Sequence, residues 1–412
     1  MIKRFGGEKE AEGSLEPRET KELKSPTRDA NIKMIFVFFL LHFTTDFYNS
    51  FINPLLPAFA QKFSLTLAQV GLIGATARVL SFLVQPSVGY LADRYRTRLF
   101  ILGGPLLGMI FIPLTGLAPH FFVLIFFVAL GATGTSMFHP TSAGMVSAFA
   151  GSRFASSMAF YNFGGTLAFG CGPVVITYVV THYGLQSSFL TTSFGLVMMV
   201  LLFRRVPLPT HEGMKKYGFF GSLREVFGDV WKRIALLWVI GVVRSFVHYS
   251  FVTFVPVMYS REGASLVTVG WMVSLVSIGG AMSGLLGGFL ADRVGYKPVF
   301  HLSYALSVPA LYLLLFVPKG ALVFAFLTGC CTMATVPLFV AMAQELAPRG
   351  KAMASSLMGG FAYGMGGMMT PITGKLADLF GIQSVLSVVA LIPILMMGLV
   401  HLLPGKKSKP GL

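Results

Sequence analysis

Polar and apolar positions along this chain do not alternate at short range; they fall in long blocks. Apolar runs of about 20 residues, enough for a helix to cross a bilayer, are separated by short polar breaks. The runs predict twelve spanning helices near 34–60, 67–92, 99–117, 120–147, 154–181, 185–203, 234–259, 266–291, 298–316, 320–345, 352–377 and 383–403. Residues 1–33 hold eight Lys/Arg and seven Asp/Glu with little apolar content, and read as a disordered tail. They lack the basic start, apolar core and small-residue cleavage site of a secretory signal. A basic linker at 204–233, with Arg204, Arg205, Lys215, Lys216, Arg224, Lys232 and Arg233, parts six runs from six. The expected halves are 34–203 and 234–403, followed by a short tail at 404–412.

One charged knot interrupts the apolar pattern twice. Gly89-Tyr90-Leu91-Ala92-Asp93-Arg94-Tyr95-Arg96-Thr97-Arg98 returns as Gly288-Phe289-Leu290-Ala291-Asp292-Arg293-Val294-Gly295-Tyr296-Lys297, 199 residues later. At the same offset Pro57 meets Pro256, Val70-Gly71 meets Val269-Gly270, and Ala155-Ser156-Ser157 meets Ala354-Ser355-Ser356. A constant offset without a gap predicts a duplicated six-helix unit. Both copies start from the same side of the membrane, so the repeat is parallel, with its axis along the membrane normal.

Composition sharpens the class. The chain is 54% hydrophobic and 12% charged, with a mean hydropathy of +0.73, against roughly 25% charged residues in soluble proteins. It is expected in a lipid bilayer. The net charge of +16 would suit nucleic acid, but its distribution excludes that partner. With the first tail inside, inner loops and tails hold 26 of the 32 Lys/Arg; the outer loops hold only Lys62, Arg261 and Lys319. That is the positive-inside pattern, and it puts both termini in the cytoplasm. Cys171, Cys330 and Cys331 lie within apolar runs, read as packing residues, and show no disulfide or metal spacing. No cofactor or metal is expected.

Glycines at four-residue spacing, such as Gly280, Gly284 and Gly288, read as close-packing positions between membrane helices. No G-x-x-x-x-G-K-[ST] is present, which speaks against an ATP-driven pump. No paired acids, His-rich metal spacing or nucleophile with its base mark an enzyme.

The two knots resemble the loop signature G-x-L-A-D-R-x-G-R-K of the major facilitator superfamily. The first departs from it at Arg96, where glycine is usual; the second keeps Gly295 and Lys297. Within that superfamily the chain is similar to the fosmidomycin-resistance efflux group over residues 35–405. The likeness is carried by His42…Asp46, Phe63-Ser64-Leu65-Thr66 with Gly71, Gln85-Pro86…Gly89-Tyr90, Phe138-His139-Pro140, Ala343-Gln344-Glu345-Leu346 and Phe361 to Gly367. Arg78 departs from the group. The resemblance implies an all-α membrane protein of twelve helices in two six-helix pseudo-repeats, with spans 1, 4, 7 and 10 lining a midplane cavity. It also implies proton-coupled efflux of a small drug-like or anionic substrate by a monomer. An uptake carrier for an organic anion or metabolite is the alternative. In the knots, Gly89, Asp93, Arg94 and Arg98, with Gly288, Asp292, Arg293 and Lys297, would form gating latches. Asp93 would approach Gly350–Ala352, and Asp292 would approach Ser152–Phe154. Otherwise the knots serve only as topological anchors.

Most acids lie in the first tail, in loops or at span ends; Asp46 lies deep. Counted from Lys33 it is about 20 Å along the helix, near the middle of a core about 30 Å thick. Arg78 and Arg244 fall at similar depth. A charge there costs at least roughly 2.5–3.5 kcal/mol, so it should face a wet cavity or a partner. Asp46 either takes up the coupling proton, with Arg244 or Arg78 tuning it or holding an anion, or is a permanent ion pair with an arginine. Asn49 and Asn53 share its helix face, and His248 and Tyr249 answer from span 7. His139 beside Pro140 is either a titrating gate or a filler for carbonyls freed at the kink. Tyr161, Asn162 and Tyr363 are further cavity candidates.

Overall fold

The computed structural model describes residues 29–92, 98–151, 153–208, 228, 230–347, 354 and 357–403. Among the described residues the regular structure is all helical. Eleven helices are long and apolar enough to cross a membrane. They are α1 (Ile32–Lys62), α2 (Leu67–Ala92), α3 (Leu99–Leu117), α4 (Phe121–Phe149), α5 (Phe154–Tyr183), α6 (Leu185–Phe203), α7 (Trp231–Arg261), α8 (Leu266–Val294), α9 (Tyr296–Phe316), α10 (Pro318–Leu346) and α12 (Ile382–His401). The remaining expected span, at 352–377, is helical as α11 (357–380), in three short pieces. Its glycines and the pair Lys375 and Asp378 dilute its apolar content, so it does not count among the eleven.

Local breaks have local causes. In α1, Pro54 has no N–H to offer the carbonyl of Ser50, and the helix loosens at Ser50 and Phe51. Gly184, Gly295 and Gly381 have φ near +85° (82°, 87° and 84°), where a side chain would be strained; each ends one helix and starts the next. The linker at 209–227 and the tails at 1–28 and 404–412 lie outside the described residues.

Packing follows the 199-residue offset. Helix α1 packs on α5 as α7 packs on α11, and α2 packs on α4 as α8 packs on α10. The first six helices meet the rest along α2–α11, α5–α8 and α1–α7. Glycines close the first two of these seams. A Cβ on Gly71 would lie 2.6 Å from the Thr370 carbonyl oxygen, and one on its repeat partner Gly270 would lie 2.8 Å from that of Pro173. Small residues allow such backbone approach where lipid offers no hydrophobic drive.

The α2–α11 seam also carries a carboxylate. Asp378 of α11 accepts hydrogen bonds from the first free amides of α2, Leu67 N (2.8 Å) and Ala68 N (3.0 Å). These amides have no partner within their own helix, and the helix dipole favours an anion beside them. At the start of α8 the cap is local instead: the Ser265 hydroxyl accepts from Thr268 N at 3.1 Å. Asp378→Ala should cost about 1 kcal/mol, as loss of a helix cap does. We expect a lower melting temperature in detergent and a longer mean distance between spin labels at positions 66 and 379. An unchanged distance distribution would show that glycine packing alone closes this seam.

Candidate functional site

A cavity of about 640 Å³ lies between the two sets of six helices. Span 1 contributes Asp46, Asn49 and Asn53, the stripe expected from their spacing. Helix α7 contributes His248 and Tyr249 from the opposite side. Arg78 enters from α2, His139 from α4, Asn162 from α5 and Tyr363 from α11. Helices 2, 5, 8 and 11 therefore line the cavity together with 1, 4, 7 and 10. Two expected lining residues stand behind the wall. Arg244 is 3% exposed and donates through Nε to the Thr332 carbonyl at 3.2 Å. Tyr161 is buried, with its hydroxyl 2.5 Å from that of Ser142.

The expected pairing of Asp46 with an arginine is not what the fold builds. Its charged contacts among the described residues are two histidines of the same six-helix set. His42 Nε2 is 3.1 Å from Asp46 Oδ2, and His139 Nε2 is 3.3 Å from Asp46 Oδ1. His42 is one turn before Asp46, at the i, i+4 spacing that places two side chains on one face. Helix α4 brings His139 to the same level, so the ring is spent on Asp46 and not on carbonyls near Pro140. His42 Nδ1 lies 2.9 Å from the Tyr161 carbonyl oxygen, and its ring stacks on the Tyr161 ring at 4.1 Å. Gly165 of α5 keeps room for the cluster: a Cβ there would sit 2.6 Å from His42 Nε2 and 2.7 Å from Asp46 Oδ2.

The His42 contacts fix its tautomer. A carbonyl oxygen only accepts, so Nδ1 must carry a hydrogen. In the neutral ring Nε2 then presents a lone pair, and it faces a carboxylate that also only accepts. Two lone pairs at 3.1 Å repel unless a positive charge stands between them. His139 is under no such constraint, because a neutral ring protonated at Nε2 can donate to Asp46.

The arginines go elsewhere. The Arg78 guanidinium lies over the Tyr249 ring at 4.2 Å, and that of Arg244 lies near the Tyr363 ring at 4.9 Å. The two tyrosine rings are 6.3 Å apart and nearly perpendicular, at 73°. Cation–π contact offsets part of the cost of burying a guanidinium, but it leaves N–H donors unused. Arg244 Nη2 is buried without a hydrogen-bond partner. Among the described residues, neither arginine has a carboxylate within ion-pair distance. Gly367 admits this arrangement, since a Cβ there would meet Arg78 Cγ at 2.5 Å.

Of the knots, Asp93 and Arg94 lie outside the described residues, as do Ser152 and Gly350–Ala352, among the expected partners of the two acids. Gly89 falls in the last turns of α2 and Arg98 immediately before α3. In the second knot, Gly288 is in α8, the Arg293 guanidinium lies over the Phe289 ring at 4.2 Å, and Lys297 Nζ donates to the His401 carbonyl at 2.9 Å. Nearby, the Tyr296 hydroxyl donates to Glu345 Oε1 at 2.5 Å, tying α9 to the end of α10.

Two packed sets of helices around a charged cavity make a membrane transporter rather than an enzyme. The chain belongs to the Major Facilitator Superfamily, whose family model matches residues 38–267 and again 258–411. It is 27% identical over 384 residues to the fosmidomycin resistance protein of Escherichia coli (strain K12), covering 90% of this chain and 92% of that one. It is 26% identical over 388 residues, with the same coverages, to the uncharacterized MFS-type transporter YfnC of Bacillus subtilis (strain 168). In fold it is similar to an inward-facing, occupied bacterial homologue of the human lysosomal transporter Spinster. That match has a TM-score of 0.78 at 15% identity, over 91% of this chain and 97% of that one. The nucleoside transporter NupG aligns with a TM-score of 0.70 at 14% identity, over 92% and 100% of the two chains.

The clearance at Gly165 is testable. Gly165→Ala should overpack the His42–Asp46 contact and destabilise the fold by about 1–3 kcal/mol. Gly398→Ala, where a Cβ meets nothing within 4 Å, should leave the melting temperature in detergent unchanged.

Proposed function

We propose that the chain is a proton-coupled exporter of small anionic, drug-like compounds, working by alternating access. Asp46 with His42 and His139 takes up and releases the coupling proton. The observation that carries this reading is the opposed pair of acceptors, His42 Nε2 and Asp46 Oδ2, at 3.1 Å. A proton between them turns repulsion into a charge-assisted hydrogen bond. Its loss pushes the two side chains apart, so proton occupancy and cavity shape change together. Both groups are buried at the cavity wall, where an unneutralised charge is costly.

On the other side, Arg78 lines the cavity and supplies positive charge without a carboxylate partner among the described residues, while Arg244 adds positive charge from behind the wall. An anionic substrate group would complete Arg78. Tyr249 and Tyr363 then frame that group, and Asn49, Asn53 and Asn162 offer polar contacts along the wall. The direction of transport draws support from the Escherichia coli relative, whose name ties it to drug resistance; fosmidomycin itself is not carried over to this chain.

With the basic loops inside, both termini are cytoplasmic and the membrane is the inner one. The halves 34–203 and 234–403 then rock about the cavity, with the Asp378 cap closing the outer end. The Asp93 and Asp292 knots, at the inner end, are the counterpart latches of the outward-open state.

In proteoliposomes with an imposed pH gradient, Asp46→Asn should reduce pH-driven counterflow to that of empty vesicles while leaving substrate binding to the purified protein measurable. Arg78→Gln should weaken binding of the anion to the purified protein and lower counterflow with it. Counterflow that persists unchanged in Asp46→Asn would sink the proton role.

A further inference from the structure

We propose that His42, Asp46 and His139 also form a binding site for one divalent first-row transition metal ion, of the zinc class, in place of the proton. The ligand atoms of the three residues all lie within 4.8 Å of one another. Two of the contacts, 3.1 Å from His42 Nε2 to Asp46 Oδ2 and 3.3 Å from His139 Nε2 to Asp46 Oδ1, reach different oxygens of the one carboxylate. A tetrahedral ion bonded at about 2.0–2.2 Å has edges of about 3.3–3.6 Å, so a small rotation of the carboxylate brings one oxygen within such an edge of both rings. Two imidazoles and a carboxylate suit zinc, cobalt, nickel or copper rather than magnesium or calcium.

Two features favour an ion over a plain hydrogen-bonded cluster. The tautomer of His42 leaves its Nε2 lone pair aimed at Asp46, which is the form a metal requires. Its Nδ1–H is held by the Tyr161 carbonyl at 2.9 Å, the outer-shell bond that orients a ligating histidine. Asp46 Oδ1, on a residue 5% exposed, makes no well-formed hydrogen bond, and the group that faces it is His139 Nε2 at 3.3 Å. Beside them Gly165 leaves open a space that a Cβ would fill at 2.6–2.7 Å from two of the ligands. All three ligating residues line the cavity, so a fourth coordination position faces it and is filled by water or by an oxygen of the transported compound.

The second copy of the unit cannot do this. At the positions 199 residues on stand Gly241, Ser245 and Leu338. The other close histidine pair, His301 and His401, has ring centroids 4.4 Å apart near the second knot. It is a competing surface site that the test must remove.

The full-length protein is purified in detergent with His301→Gln and His401→Gln in the background, and titrated with Zn2+ by calorimetry in the absence of any gradient. One ion per chain is expected. His42→Gln and His139→Gln should each weaken binding at least ~10-fold. Equal affinity in parent and both variants, or no binding by the parent, overturns the proposal. If a variant does not fold, X-ray absorption at the zinc edge of the loaded parent decides instead: two imidazoles with one carboxylate support the site, and fewer than two imidazoles overturn it. Binding is read without transport, so a failure of proton coupling leaves this result standing, and the converse also holds.

Discussion

The arrangement depends on two lone pairs set against each other at the cavity wall. The Tyr161 carbonyl dictates the tautomer of His42, and that tautomer turns Nε2 toward a carboxylate that cannot donate. In water such a contact would dissolve into separate hydration. Between packed helices it cannot, because Phe138, Tyr161 and the α5 backbone at Gly165 enclose it. The contact is unfavourable while both atoms present lone pairs, and the residues that make it line the cavity.

Duplication explains where this element sits. Gene-level symmetry builds two similar bundles and three seams, and it places glycines 71 and 270 at equivalent contacts. The chemistry departs from that symmetry. The first unit holds the acid and its histidines, while the second has glycine, serine and leucine at the matching positions. Arg244 and both cavity tyrosines belong to the second unit, and Arg78 reaches across to stack on Tyr249. The acid and its histidines thus sit in the first unit, while the arginines rest on tyrosines of the second.

Much of the fold was legible in the residues because lipid imposes a strong rule: backbone groups must be satisfied within each span. Run length and the 199-residue offset were therefore enough to place the helices. The weak point was α11, where glycines serve close packing at the expense of hydropathy. Its irregular build comes from contacts with α2 and α7 that no window along the sequence contains. Nine of the eleven predicted cavity residues do line the cavity, since depth and helical phase follow from counting.

Partner choice was harder to read. Depth put Asp46, Arg78 and Arg244 at one level, and opposite charges at one level invite pairing. The fold decides otherwise because rotation about each helix axis matters as much as depth. Arg244 points along α7 into the α10–α11 groove, where Thr332 and Tyr363 hold it. Asp46 points to α4 and α5. One signal for its true partner was present, the i, i+4 spacing of His42 and Asp46. His139 and Gly165 were not predictable as neighbours, because their approach depends on how α4 and α5 cross α1. A charge in the membrane advertises that it has a partner; which one it has is settled by helix phase and by which glycines let two backbones close. Here those glycines brought imidazole rather than guanidinium to the carboxylate.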